Sequence, residues 1–352
     1  MTGVPPDQST VLDEVLREIR RTTRIFPLPA PQFDPQWERA DLVHALGLPS
    51  MPDAGAQPEL FAFLNRLYAK PLRFIEADFT FADPHYTLDP RGGLPAPITP
   101  FERSRNWSGA SIMPSDGRVF TQLHGSWQVP TSAVPVTSSG GAPTPASVRS
   151  SSWIGLDGQR AYLNSTLPQI GTSQFMNIGP GGKPVAKANA WWQWWANGLH
   201  RPPLTLRLDV SPGDEVMCVL TVIDPTHVRM LIKNQTTGHV MMPFDALAPA
   251  ASMNHPPSPI QTTVSGATAE WVMERPSIFP TDDMYDLPDY GTLVFHDCFV
   301  LTDTVPASSS KVHRLEGAQL LSMFEVRSQP RRTALISVPK RLSETCVMMV
   351  HR

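Results

Sequence analysis

Several familiar catalytic arrangements are missing from this chain. There is no G-x-S-x-G nucleophile elbow, no H-E-x-x-H and no Walker A loop. Gly179-Pro180-Gly181-Gly182-Lys183-Pro184 lacks the spacing and the Ser/Thr of a phosphate loop and reads as a turn. The ten histidines are scattered without metal-ligand spacing, so zinc is not expected. What remains is carboxylate and amide chemistry. Two stretches carry it: Ala269-Glu270-Trp271-Val272-Met273-Glu274, and Leu167-Pro168-Gln169-Ile170-Gly171-Thr172 about a hundred residues upstream. Taken alone, Glu270 beside Trp271 reads as one solvated and one core residue of a strand, and Gln169 as a loop amide.

The elements that would have to position them are strands. Thirty-eight prolines and twenty-two glycines punctuate short apolar runs from Asn106 onward. Strands are expected around Val119–Leu123, Gly125–Pro130, Trp153–Leu156, Trp191–Trp195, Leu204–Val210, Glu215–Ile223, Val228–Lys233 and His239–Met242. More are expected at Glu270–Met273, Gly291–Phe295, Gly317–Val326, Ala334–Val338 and Thr345–Val350, with a flexible loop over Thr131–Ala146. That many short-spaced strands with few helices implies an all-β antiparallel sandwich. In Trp191-Trp192-Gln193-Trp194-Trp195, alternation sends Trp191, Gln193 and Trp195 to one face and Trp192 and Trp194 to the other. One set should pack between the layers and the other line an open concave face that contacts ligand.

Residues 1–82 differ in character. Leu12, Val15, Leu16 and Ile19 share a helical stripe, a second helix is expected from Asp34-Pro35 to Gly47, and a third spans Glu59–Ala69. Residues 83–104, with five prolines and Gly92-Gly93, have a linker composition, and 105–352 form the β domain. Charged residues are 17% of the 352-residue chain and the net charge is −3, so neither nucleic acid nor an anionic membrane is an expected partner. No apolar run approaches the roughly 18 residues of a membrane span. Cys218, Cys298 and Cys346 are too few and too far apart for a disulfide framework. The first seven residues lack a basic stretch followed by an apolar one, so the expectation is a soluble monomer, cytoplasmic or exported without a recognisable secretion signal.

Eight segments in order resemble the successive motifs of the glutamic peptidases, or eqolisins. They are Asn106-Trp107-Ser108-Gly109, Trp153-Ile154-Gly155-Leu156-Asp157-Gly158, Gln169-Ile170-Gly171-Thr172, Trp191–Trp195, Ser211-Pro212-Gly213-Asp214, Asn234-Gln235-Thr236-Thr237-Gly238, Ala269-Glu270-Trp271 and Gly291–Phe295. The resemblance covers about 104 to 352. It implies two bent antiparallel sheets of the concanavalin-like kind, and acid endopeptidase activity on polypeptides without metal or cofactor. It further implies that Glu270 is the general base and Gln169 the second catalytic residue. Trp107, Trp153, Asp157, Trp191, Gln193 and Trp195 would line or support the substrate cleft. A glutamate, with an ordinary pKa near 4.3, can serve as base at acidic pH, where a histidine is already protonated.

Two rival readings use the same aromatic face: a catalytically inactive sandwich binding peptide or glycan, and a glycoside hydrolase. The second canonically needs two carboxyls flanking the bond. Glu270 and Glu274, on one strand face, are about 13–14 Å apart by strand rise, too far for it. The leader of the family is typically basic and inhibitory, whereas residues 1–105 hold 11 Lys/Arg against 14 Asp/Glu. It therefore reads as either a cleaved pro-region or a permanent cap. Where the family tends to carry acids near its cleft, this chain has Ser173, Asn189 and Gln193. Neutral groups need no protonation, so the pH–rate profile of proteolysis should peak above about 3; a maximum below that value would refute the expectation.

Overall fold

The computed structural model describes residues 8–81, 83, 86–88, 101–114, 117–135, 147–159, 166–197, 199, 201–252, 259–279, 281, 283–302, 311–328 and 331–352. Most of the proline-rich 83–104 stretch and positions 136–146 of the expected loop lie outside these residues.

Thirteen main strands build the β domain. They are β1 (Trp107–Ile112), β2 (Phe120–Gln128), β3 (Arg149–Leu156), β4 (Thr166–Ile178), β5 (Pro184–Ala196), β6 (Glu215–Asp224) and β7 (His227–Asn234). They continue with β8 (His239–Leu247), β9 (Ala269–Glu274), β10 (Thr292–Thr302), β11 (Gln319–Ser328), β12 (Arg331–Ser343) and β13 (Cys346–His351). One layer pairs in the order β11-β1-β9-β3-β4-β5, all antiparallel. The other runs β8-β7-β6-β2-β10-β13. The long strand β12 pairs with β13 on one side and β11 on the other, so the layers of this sandwich are joined by hydrogen bonds at one corner.

Alternation along the strands fills the space between the layers. Ile154, Leu156, Ile170, Trp192, Trp194 and Trp271 from the first layer meet Trp127, Cys218, Leu220, Met230, Ile232 and Phe295 from the second. The indole N–H groups of Trp271 and Trp127 donate to His124 O at 2.7 Å and Thr172 Oγ1 at 3.1 Å, which satisfies polar atoms that burial would otherwise orphan. Strand β4 was not among those expected, since Gln169 taken alone read as a loop amide. Pro168 falls just past Gly155–Gln169, the last pair of β4 with β3, where a missing N–H is tolerated.

The N-terminal region forms α1 (Gln8–Thr22), α2 (Ala40–Ala45) and α3 (Pro58–Leu67). The expected second helix is cut to six residues: one turn forms after Asp34, but Arg39 is extended (ψ 141°) and restarts the chain. Its end is as expected, with Gly47 at φ 71° taking up the left-handed turn. Leu60, Phe63, Leu64 and Leu67 of α3 pack on Met217, Val219, Leu231, Val240 and Phe299, the outer face of the β8-β7-β6-β2-β10-β13 layer. Phe63 meets Phe299 and His124 edge-on, and His124 stacks on Phe299 at 4.3 Å. Burial pushes the His124 pKa down to about 3 and keeps the ring neutral there. Lys233, fully buried on β7, donates to Leu67 O at 2.7 Å and Ala69 O at 2.9 Å, placing a cation on the carbonyl end of α3.

Strands before residue 105 also join the sheet. Arg24–Ile25 and Arg73–Ile75 pair with β8, and Phe79–Phe81 pairs with Leu204–Leu206, which itself pairs with β5. Phe63→Ala should therefore lower global stability by about 3–5 kcal/mol in urea unfolding, as for a core residue. A loss under 1 kcal/mol would mean that α3 only rests on the sheet.

Candidate active site

Glu270 is on β9, a strand with neighbours on both sides. It lies opposite Ser111 on β1 and opposite Gly155 on β3. Gly155 in turn lies opposite Gln169 on β4, and Gln169 opposite Gln193 on β5. Residues paired across strands share a face, so Ser111, Glu270, Gly155, Gln169 and Gln193 form one row on the outer face of this layer. Two strand spacings, about 10 Å between Cα atoms, separate Glu270 from Gln169. The residue between them has no side chain.

The next row holds Gly109, Val272, Trp153, Gly171 and Trp191, and the one after it Trp107, Glu274, Ser151, Ser173 and Asn189. Trp191, Gln193 and Trp195 thus share the face of Glu270, while Trp192 and Trp194 belong to the interior, as alternation requires.

The polarity of the Gln169 amide follows from its neighbours. Its Nε2 donates to Gln193 Oε1 at 2.7 Å, and Gln193 Nε2 donates to the main-chain carbonyl of Arg201 at 2.7 Å. Gln169 Oε1 and Glu270 Oε2 are both buried and have no hydrogen-bond partner among the described residues. Glu270 Oε1 is held by the Gln159 N–H at 3.3 Å and more loosely by Ser111 Oγ at 3.5 Å. Burial, with the charge of Asp157 adding to it, pushes the Glu270 pKa up to about 8. Glu270, which taken alone read as solvated, is fully enclosed.

The expected open aromatic face is also closed. Trp191 is 1% exposed and Trp195 5%, in one apolar cluster with Trp107, Trp153, Leu167, Tyr86, Leu88 and Tyr285. The cover includes Tyr86–Thr87, a short strand paired with Ser277–Ile278. The Tyr86 hydroxyl bonds the Oγ atoms of Ser151 and Ser173, and Arg149 bridges to Asp83 at 2.8 Å while lying over the Tyr285 ring. Sequence gave no sign of this because Tyr86 sits in a stretch of linker composition.

Trp107 and Trp153 meet edge-on at 5.0 Å, and Trp153 Nε1 donates to Glu274 Oε2 at 2.8 Å. Glu274 was legible as a residue on the Glu270 face but not as the partner that orients Trp153. Asp157, expected at the cleft, is a clamp. At φ 69° it accepts from the main-chain N–H groups of Ser265, Gly266 and Ala267 and from Ser265 Oγ, and so holds the segment leading into β9.

The model of the peptidase A4 family matches residues 105–337, about two thirds of the chain. The protein belongs to the peptidase A4 family, the glutamic peptidases, and is by that membership a peptide-bond hydrolase. No curated protein matches it in a sequence comparison. Among solved structures it is similar to scytalido-glutamic peptidase with a peptide-based transition state analog, at a TM-score of 0.48 and 19% identity over 70% of this chain and 98% of that one. It is also similar to SCP-B, an eqolisin in complex with the tripeptide Ala-Ile-His, at a TM-score of 0.45 and 19% identity with the same coverage. Among the described residues, no helix of this peptidase is long and apolar enough to cross a membrane.

The enclosure of Glu270 has a thermodynamic consequence. Its folded pKa, about 8, lies above the ordinary value near 4.5 that it regains on unfolding. Its proton therefore favours the folded state fully below about 4.5, and that contribution is lost as pH rises toward 8. Urea unfolding from pH 4.5 to 8 should show a decline of about 2–4 kcal/mol that Glu270→Gln removes. Parallel profiles for the two proteins would show that Glu270 ionises freely in the folded state.

Proposed function

We propose that this protein is an endopeptidase that cleaves peptide bonds with a water activated by Glu270 and Gln169, at acidic to mildly acidic pH. The observation carrying this reading is the shared row: one carboxylate and one amide flanking a glycine, each with an oxygen that has no hydrogen-bond partner among the described residues. A water between them can give one hydrogen bond to Glu270 Oε2 and the other to Gln169 Oε1. As the water oxygen attacks the scissile carbonyl carbon, its proton passes to the Glu270 carboxylate. The second N–H of Gln169 Nε2, not used by Gln193, can donate to the developing oxyanion. Collapse of the tetrahedral intermediate breaks the C–N bond, and the proton held by Glu270 goes to the leaving amine. No covalent intermediate arises.

In the enclosed state Glu270 holds its proton below about pH 8, so it is the acid form and not a base. Lifting the cover at Tyr86 would admit both water and peptide. Hydration would bring the Glu270 pKa back toward the ordinary carboxylate range and make the base available at mildly acidic pH. Trp191, Trp195 and Trp153, once uncovered, would present flat apolar surface to an extended polypeptide. Ser173, Asn189 and Gln193 carry no charge to be neutralised first. The inactive-binder alternative uses the same aromatic face and needs the same cover lifted, so proteolysis itself separates the two readings.

The decisive assay is digestion of an unfolded protein at pH 3–6, with pepstatin and a chelator present to silence aspartic and metallo contaminants. Glu270→Gln and Gln169→Ala should each lower kcat by at least about 100-fold with unchanged circular dichroism. Retention of wild-type turnover by Glu270→Gln would refute the mechanism.

A further inference from the structure

Three residues of the cover step along the site face in order. The Asp83 carboxylate pairs with Arg149 Nη1 at 2.8 Å. The Tyr86 hydroxyl meets Ser151 and Ser173, and Leu88 lies in the apolar cluster of Trp107, Trp153, Trp191 and Trp195. The residues they touch stand on successive levels of β3 and β4. Arg149 is paired with Phe175, Ser151 with Ser173, Trp153 with Gly171 and Gly155 with Gln169. Arg149 therefore shares the face of the Glu270–Gln169 row and stands about 20 Å from Gly155 along β3 by strand rise. Rings hold its guanidinium as well. It lies 4.9 Å from the centre of the Tyr285 ring, 5.5 Å from that of Tyr86 and 5.9 Å from that of Phe175. A cavity of about 160 Å3, lined by Asp83, Tyr86, Arg149, Ser173, Asn189 and Trp191, lies beside the ion pair. The side chain of Arg149 is 26% exposed and that of Asp83 25%, so the arginine is within reach of solvent.

We propose that Arg149 determines specificity by receiving an acidic side chain of the polypeptide substrate, in the place that Asp83 holds in the enclosed state. Admitting a peptide requires the cover to move aside, which takes the Asp83 carboxylate away from Arg149. Phe175 and Tyr285 belong to the β domain and remain, so the guanidinium stays on the site face. Stacked on rings, it offers a fixed planar fork to one carboxylate. Ser173 and Asn189, which line the same cavity, carry no charge to compete for it. By strand rise the acid would fall about six extended residues from the scissile bond. The inference deepens the proposed endopeptidase reading and rests on it for the position of that bond.

The test uses the full chain and a neutral peptide of about twenty residues, long enough to span the face, carrying Asp, Asn or Lys at each position in turn. Cleavage is followed at about pH 5.5, where the substrate carboxyl is charged, and the cut is located by mass spectrometry. With Asp about six residues from the cut, kcat/KM should exceed that with Asn about five-fold, and that with Lys by more. The preference should fade at about pH 3, where the substrate carboxyl takes up its proton and the arginine keeps its charge. Arg149→Met should abolish the ratio, and Arg149→Glu should turn it toward lysine, a reversal that a merely structural role would not produce. If neither variant folds, Arg149→Lys and the pH dependence of the wild type carry the test, the lysine variant showing a smaller ratio. The same peptides are titrated onto Glu270→Gln by fluorescence anisotropy. The acid preference should persist there without turnover, so a failure of the mechanism and a failure of the Arg149 site give different results. Equal handling of Asp, Asn and Lys at every position, a preference unchanged by Arg149→Met, or no binding of any peptide would overturn the proposal.

Discussion

The register of five neighbouring strands is the constraint on which the site depends. Ser111, Glu270, Gly155, Gln169 and Gln193 stand in one row only because β1, β9, β3, β4 and β5 pair at these offsets. Side chains alternate with a period of two, so a slip of one residue in β4 would send Gln169 inward and bring Ile170 to the face. The interior opposes such a slip. Ile170, Trp192, Ile154 and Trp271 are all in the core between the layers, and moving any of these strands by one residue would exchange them for glutamine, glycine or glutamate. The packing of one face thus holds the chemistry of the other.

Enclosure is the second feature of the row. A carboxyl group without water favours its neutral form, so the same burial that assembles Glu270 and Gln169 also keeps Glu270 protonated. The two amides behave differently. Gln169 and Gln193 do not titrate, and their relay to the Arg201 carbonyl keeps its direction at any pH. The row therefore combines one group whose state depends on access to solvent with two that do not. Tyr86 lies over that face, its hydroxyl bonded to two serines of it.

The N-terminal region is tied to the β domain by different forces in different places. Apolar packing holds α3, and Lys233 closes the carbonyl end of that helix. Main-chain pairing adds short strands to both layers through β8 and through Leu204–Leu206. We infer that the described residues 8–81 remain part of the folded unit, because their removal would bare apolar surface on β6, β7 and β10. This favours the permanent cap over the cleaved pro-region that sequence left open.

Local pattern determined which residues could alternate, turn or form helices. Period two in the tryptophan run separated Trp191, Gln193 and Trp195 from Trp192 and Trp194, and the stripe from Leu12 to Ile19 marked α1. The ordered Trp- and Gly-bearing segments pointed to Glu270, Gln169 and the family. Tertiary structure decided what each face meets, because burial comes from residues distant in sequence. It made Asp157 a clamp on 265–267, turned an expected open face into an enclosed one beneath Tyr86, and cut the second helix at Arg39.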